Sequence, residues 1–158
     1  EPKEGDELKY PPRNPKEPIF ERKIVQHVLL AGTVMGLSAF GTYYTLLQSG
    51  YEVEQARNLV LMLMVLFGNI HTLNNRSETK SLFSIPLFSN RFLIIAVPVV
   101  QLLHIGAMYM PGLSDVLEIQ PIALKDWMTL LSVAVLLLIV EELHKLWHRR
   151  RDRKQTRN

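Results

Sequence analysis

The stretch that decides the fold is Ile24–Leu47, which reads IVQHVLLAGTVMGLSAFGTYYTLL and contains no Asp, Glu, Lys or Arg. An α-helix rises about 1.5 Å per residue, so this run is long enough to cross the hydrocarbon layer of a bilayer, which is about 30 Å thick. Uncharged apolar runs of this length are typical of membrane proteins and not of soluble domains. The stretch therefore predicts a transmembrane helix.

Three further apolar runs follow at Leu59–Leu73, Phe92–Met110 and Trp127–Val140, the last continuing to Trp147. The mean hydropathy of +0.07 conceals them, because the charged residues crowd into the segments between the runs. The 158 residues suffice for one domain. We therefore expect an all-α integral membrane bundle of four transmembrane helices, at about residues 24–47, 58–73, 92–110 and 127–147. A soluble helical bundle is the disfavoured alternative.

The basic residues predict the orientation of these spans. Sixteen of the eighteen Lys and Arg residues lie in the N-terminal loop, in the loop between the second and third spans, or after residue 140. The other two loops contain only Arg57 and Lys125. Because short cytoplasmic loops are enriched in Lys and Arg, both termini are expected in the cytoplasm. The same bias supports the second run as a span, although it has only 15 residues.

The segments outside the bundle differ in chemistry. Residues 1–23 are charged and rich in proline, so we expect them to form an extended cytoplasmic loop and not a signal peptide. Residues 148–158 form a basic tail, in which Arg149, Arg150 and Arg151 are expected to contact anionic lipid. Nucleic acid is the disfavoured partner. Cysteine is absent, which excludes thiol catalysis and Cys-based zinc sites. The sequence does not begin with Met, and we expect a fragment.

Small residues in the first span indicate close helix packing. Gly32 and Gly36 form a GxxxG motif in an apolar segment of the right length for a membrane span. Glycines at this spacing let two helix backbones approach closely. We therefore expect Gly32 and Gly36 to pack against another helix.

Polar residues inside the second span are candidates for a cation path. Gly68, Asn69 and His71 interrupt its apolar pattern, and polar groups in membrane helices usually face the bundle interior or a water-filled path. Hydrogen bonding between helices is the alternative. His27 and His104 have no evident partners in the sequence, so no metal site is predicted. Lys145 is expected to pair with Glu141, four residues earlier on the same helix.

Three motifs resemble one family of transporters. The stretch Pro11–Phe20, PPRNPKEPIF, resembles the loop after the sixth transmembrane helix of calcium-pump-like P-type ATPases. Ala56–Leu82 resembles their eighth helix and the following loop, ending in the N-x-RSE-x-x-SL pattern at Asn74–Leu82. Glu142–Lys145, ELHK, resembles the end of their tenth helix. By this resemblance the four spans correspond to helices seven to ten.

The resemblance implies the C-terminal membrane support of an ATP-driven cation pump. The intact pump would use ATP and Mg²⁺, with Ca²⁺ as a candidate cargo, and its remaining helices and cytoplasmic domains would be the partners of this chain. The phosphorylated DKTG motif of the family is absent here, so the chain itself carries no catalytic residues or cofactor. In calcium pumps the eighth helix supplies a glutamate to one ion site. Gly68 stands at that position, which argues against a second divalent site.

The alternative is a stand-alone four-span protein with an assembly or regulatory role and no transport activity. An upstream reading frame that encodes DKTG would favour the pump, whereas a start codon just before residue 1 would favour the alternative. In either case the expected location is a membrane, and we expect the bacterial plasma membrane.

Overall fold

The computed structural model describes residues 22–77 and 80–155, so the predicted loop over residues 1–23 and the PPRNPKEPIF motif lie outside the described residues almost entirely. The helices that it describes are α1 (Arg22–Gln48), α2 (Val53–Asn74), α3 (Arg91–Tyr109), α4 (Leu113–Leu117) and α5 (Leu124–Gln155). Two single 3₁₀ turns, Leu82–Ser84 and Leu87–Ser89, connect α2 to α3. The described residues contain no β-strand, as the all-α prediction requires.

Four of these helices are long and apolar enough to cross a bilayer, over Ile24–Gln48, Val53–Asn74, Arg91–Tyr109 and Leu124–Arg151. The fold is therefore the predicted integral membrane bundle of four spans. A helix satisfies its backbone hydrogen bonds internally, which a segment in hydrocarbon requires. The second helix starts at Val53, before the predicted start of its span at residue 58, and the fourth continues through the basic segment to Gln155.

Helix α2 lies at the centre of the bundle. Of the residues in its apolar stretch, 39% are buried inside the bundle, whereas only 6% are buried in the apolar stretch of α1 and 6% in that of α3. It contacts α5 most extensively and also packs against α1 and α3. The core consists of apolar side chains from α2 and α5, joined by a few from the other elements: Leu59, Met62, Leu63, Leu66, Phe67, Leu130, Ala134 and Leu137, with Ala31, Met108 and Ile119.

Helices α1 and α3 expose large apolar side chains on their outer surfaces. Leu37 and Phe40 of α1 are each 68% exposed, as is Leu103 of α3. A soluble protein rarely exposes apolar surface over whole helices. These faces need lipid or further helices to cover them.

The helix ends form two polar layers. We call the end with the start of α1, the end of α2 and the end of α5 the tail end, and the end with the α1–α2 turn the hairpin end. At the hairpin end, Gly50 has a φ of +85°, a left-handed conformation that favours glycine. Glu52 and Gln55 then start α2 as a capping box.

Candidate functional site

A buried carboxylate lies at the tail end of the bundle. Glu141 of α5 is fully buried and contacts two side chains of α2. Its Oε1 accepts a hydrogen bond from His71 Nδ1, and its Oε2 accepts one from Asn74 Nδ2 at 2.6 Å. Among the side chains that the structure describes, which do not include those of Arg22 and Lys23, no Lys or Arg nitrogen lies within ion-pairing distance of Glu141. The imidazole of His71 is therefore its one titratable direct partner in the described part.

Lys145 is buried one helical turn further along α5. Its Nζ donates to the backbone oxygen of Asn74 at 2.6 Å, to Asn74 Oδ1 at 2.9 Å and to the backbone oxygen of Lys80 at 3.3 Å. Its ion pair is with Glu142, 3.8 Å away. The predicted pair with Glu141 is wrong, because Glu141 is bound by α2 instead. Lys145 thus fastens α5 to the end of α2 and to the loop that follows.

Histidines extend this network to α1. His27 Nε2 lies 3.0 Å from Asn75 Oδ1, and Asn75 Nδ2 lies 2.8 Å from His71 Nε2. The rings of His27 and His71 stack with their centroids 5.7 Å apart. The expectation that His27 lacks partners for a metal site is therefore wrong. One ligand atom from each of His27, His71 and Glu141 lies within 4.8 Å of the other two.

The polar residues of α2 that the sequence singled out contact different neighbours. Asn69 Nδ2 donates to Gln101 Oε1 of α3 at 3.0 Å, whereas His71 contacts Glu141 of α5. Gly68 is exposed and lines a groove between α2 and α3 together with Asn69. The structure does not bring Gly68, Asn69 and His71 together around one site.

The groove beside Gly68 is open. A Cβ atom added at Gly68 would meet no atom of the described part within 4 Å. The other residues that line the groove are mostly apolar: Val65, Thr72, Leu93, Ala96, Val97 and Val100. Within this chain the position has room for a larger side chain, but α2 supplies no carboxylate there.

The GxxxG motif of α1 faces away from the bundle. Gly32 and Gly36 are exposed, and a Cβ atom at either would meet no described atom within 4 Å. No described helix of this chain packs against them. The predicted packing therefore stays a prediction, and it requires a helix from elsewhere.

At the hairpin end, polar contacts join α5 to the α1–α2 turn. The hydroxyl of Tyr51 donates to Asp126 Oδ1 at 2.8 Å, and this bond raises the pKa of Tyr51 above its ordinary value. Tyr51 is protonated at neutral pH, as an ordinary tyrosine is, and the shift extends this donating form to higher pH. Arg57 forms an exposed ion pair with Glu118 at 3.1 Å. Such exposed pairs contribute little to stability, so these contacts position the helix ends.

The basic residues Arg149, Arg150 and Arg151 lie on the last turns of α5 and not on an irregular tail. The guanidinium of Arg151 lies over the ring of Trp147, 5.6 Å from its centroid. Trp side chains favour the membrane interface, so this contact fits the edge of a bilayer. The lipid contact itself stays a prediction.

Sequence reasoning missed the importance of Glu141 and Asn74. An ionisable residue directly after the uncharged run Trp127–Val140 was the available signal, because such residues in membrane helices are usually paired and functional. The partners could not be read from the sequence, since they lie 67 to 70 positions away on another helix.

The four long apolar helices and their polar layers define an integral membrane helical bundle. The family model described as "Cation transporting ATPase, C-terminus" matches residues 1–147. The chain therefore belongs to the family of C-terminal regions of cation-transporting ATPases, which confirms the resemblance to P-type pumps. Its place in that family favours the pump interpretation over a stand-alone assembly protein.

Individual relatives support the same family. "Probable cation-transporting ATPase F" of Mycobacterium tuberculosis is 29% identical over 140 residues, covering 89% of this chain and 16% of that protein. "Calcium-transporting ATPase 1" of Schizosaccharomyces pombe is 30% identical over 146 residues, covering 92% and 16%. "Calcium-transporting ATPase type 2C member 1" of Homo sapiens is 26% identical, covering 98% and 17%. The chain thus spans about a sixth of the length of these relatives.

Proposed function

We propose that this chain forms the last four membrane helices of an ATP-driven cation pump and supports the helices that carry the ions. The observation that carries the proposal is the family match over residues 1–147 of a four-span bundle. The phosphorylation and nucleotide-binding chemistry, with ATP and Mg²⁺, would belong to the rest of the pump. The test is ATP-dependent cation uptake by the full-length protein in vesicles.

The open faces of α1 and α3 support a role as one part of a larger membrane assembly. Their apolar stretches are only 6% buried within this chain. Both helices could pack against the remaining helices of the pump, and the lipid bilayer would cover the rest. Gly32 and Gly36 have no side chains, so the backbone of another helix can approach α1 closely at these positions.

We propose that the pump transports a cation and that this chain contributes no carboxylate to its binding at position 68, which is a glycine. Several relatives are named as calcium-transporting ATPases, which makes Ca²⁺ the first cation to test. Ca²⁺ requires six to eight oxygen ligands, and carboxylates supply most of the neutralising charge. The side chains of Asn69 and Gln101, which bond to each other beside Gly68, offer only neutral oxygens.

A matched pair of leucine variants tests the packing of α1 in the full-length pump. Gly32→Leu combined with Gly36→Leu is expected to shorten the half-life of the protein in detergent several-fold, because it separates two helix backbones. Gly41→Leu is the control: it lies on the same helix, turned away from the other two, and is equally open within this chain. Equal half-lives for the double variant, the control and the native pump would refute the contact.

We also propose that both termini lie in the cytoplasm, as the distribution of basic residues indicates. We further propose the plasma membrane of a bacterium as the location; the relatives include bacterial proteins and also proteins of fission yeast and human. Arg149, Arg150 and Arg151 would lie at the inner leaflet, where each basic residue contributes about 1 kcal/mol of attraction to anionic lipid.

Cysteine labelling of intact cells tests this orientation. Ser49→Cys and Val116→Cys lie at the hairpin end and are expected to react with a membrane-impermeant thiol reagent from outside. Ser84→Cys, in the loop between α2 and α3, is expected to react only after the membrane is opened. All three positions are exposed in this chain, which contains no cysteine of its own. The opposite pattern of labelling would invert the topology.

A further inference from the structure

We propose that His27, His71 and Glu141 form a binding site for a divalent transition-metal ion of the zinc class. The three side chains come from α1, α2 and α5, so the ion would join three of the four spans at the tail end. The site is distinct from the groove beside Gly68, since His71 contacts α5 and Gly68 faces α3. The inference does not depend on what the pump transports.

The donor atoms already lie close together. One ligand atom from each residue is within 4.8 Å of the other two. Zinc bonds to imidazole nitrogen and carboxylate oxygen measure about 2.0–2.2 Å, which places tetrahedral ligands roughly 3.4 Å apart. The most distant ligand atoms must therefore approach by up to about 1.4 Å, and the two stacked imidazoles must tilt toward a common point. His71 Nδ1 and Glu141 Oε1, which are hydrogen-bonded to each other, must instead move apart to admit the ion. His27 and His71 are only half-buried, which leaves them room to turn.

The ligand set matches the chemistry of zinc better than that of calcium. Two imidazoles and one carboxylate, with a fourth position open to water, form a ligand set found at zinc sites. The same set also suits other first-row divalent metals such as cobalt. Calcium takes six to eight oxygen ligands, and the cluster offers oxygens chiefly from Glu141.

The burial of the Glu141 carboxylate also favours a bound cation. An ionised carboxylate that is fully buried is costly unless a positive charge accompanies it. The buried cation nearby, Lys145, is bonded to Asn74 and Lys80 and paired with Glu142. Glu141 is thus left with His71 and Asn74 among the described residues. Lys145 also attracts Glu141 electrostatically, but from the far side of Asn74, which bonds to both side chains. A divalent ion between the histidines and Glu141 would place positive charge directly at the carboxylate.

Two more imidazoles lie beside the cluster. The ring of His144 is 5.8 Å from that of His27, and its Nε2 lies 3.1 Å from Nε2 of His148. Histidines four residues apart on one helix share a face. This pair lies one turn from Glu141 toward the end of α5, where it could receive an ion from the aqueous side before the buried carboxylate does.

Zinc binding by the full-length protein tests the site. Chelator-treated protein in detergent is dialysed against Zn²⁺ alone, and bound zinc is counted by elemental mass spectrometry. His27→Gln and His71→Gln are each expected to bind one zinc ion fewer per protein than the native form, or to bind it at least tenfold more weakly. His104→Gln, a histidine of α3 outside the cluster, is the control and should match the native protein.

Cobalt gives a second readout that does not depend on counting. Co²⁺ bound to the native protein should show the visible absorption of a four-coordinate site, and His27→Gln should lose it. This variant is the one expected to disturb folding least, because His27 bonds to the exposed Asn75, whereas His71 bonds to the buried Glu141. Unchanged zinc content in His27→Gln and His71→Gln, with unchanged cobalt absorption in His27→Gln, would overturn the proposal. Loss only in His144→Gln or His148→Gln would overturn the assignment of the ligands.

Discussion

Lys145→Met in the full-length pump is expected to destabilise the membrane domain by about 3–5 kcal/mol, the typical cost of removing one partner from a buried ionic network. The substitution removes the ammonium group that donates hydrogen bonds to Asn74 and Lys80. It also removes the positive charge that pairs with the carboxylate of Glu142. It also leaves the backbone oxygen of Asn74, at the end of α2, without the bond that Lys145 supplies. The half-life of folded protein in detergent should fall by orders of magnitude.

Lys125→Met is the matched control, because Lys125 lies on the same helix but is exposed at the hairpin end. Its effect should stay within about 0.5 kcal/mol, as for surface substitutions in general. Equal half-lives for the two variants would contradict a stabilising role for the buried lysine.

Gly68→Glu is expected to raise the number of calcium ions carried per ATP, or to raise calcium affinity at least tenfold. The added carboxylate would provide charge where this chain has none, and the open groove has space for it. The native pump should accordingly carry about one divalent ion fewer per ATP than a pump with two calcium sites, or transport another cation. The measurement is the ratio of calcium uptake to ATP hydrolysis in vesicles.

Gly68→Gln is the control for this experiment, since it adds a side chain of nearly the same size without the charge. It should leave the ratio unchanged. A native ratio of two calcium ions per ATP, unaltered by Gly68→Glu, would show that the position is structural and that other helices supply the charge.

The positions of the long helices could be predicted because extended uncharged apolar runs are typical of helices that cross a bilayer. Ile24–Leu47 and Phe92–Met110 correspond closely to α1 and α3. The start of α2 was predicted less accurately. Its first turns contain Glu54, Gln55 and Arg57, and a polar sequence of this kind is typical of a loop. A capping box at Glu52 and Gln55 starts the helix there.

The tail-end cluster could not be predicted because it depends on how the helices are rotated against one another. His27, His71 and Glu141 lie on three helices and are far apart in the sequence. Helical spacing placed Lys145 beside Glu141, but packing against α2 directs Glu141 to His71 and Asn74. Local spacing thus predicts which residues share a helix face, and tertiary packing decides which partner each one meets.

ATP-dependent cation uptake by the full-length protein, reconstituted in sealed vesicles, tests the central claim most directly. The account predicts that the vesicles accumulate a cation, with Ca²⁺ tested first, only when ATP is supplied on the side of the basic tail. It further predicts that Gly32→Leu combined with Gly36→Leu lowers this uptake while Gly41→Leu does not. Folded protein that accumulates none of the tested mono- and divalent cations with ATP would contradict the account.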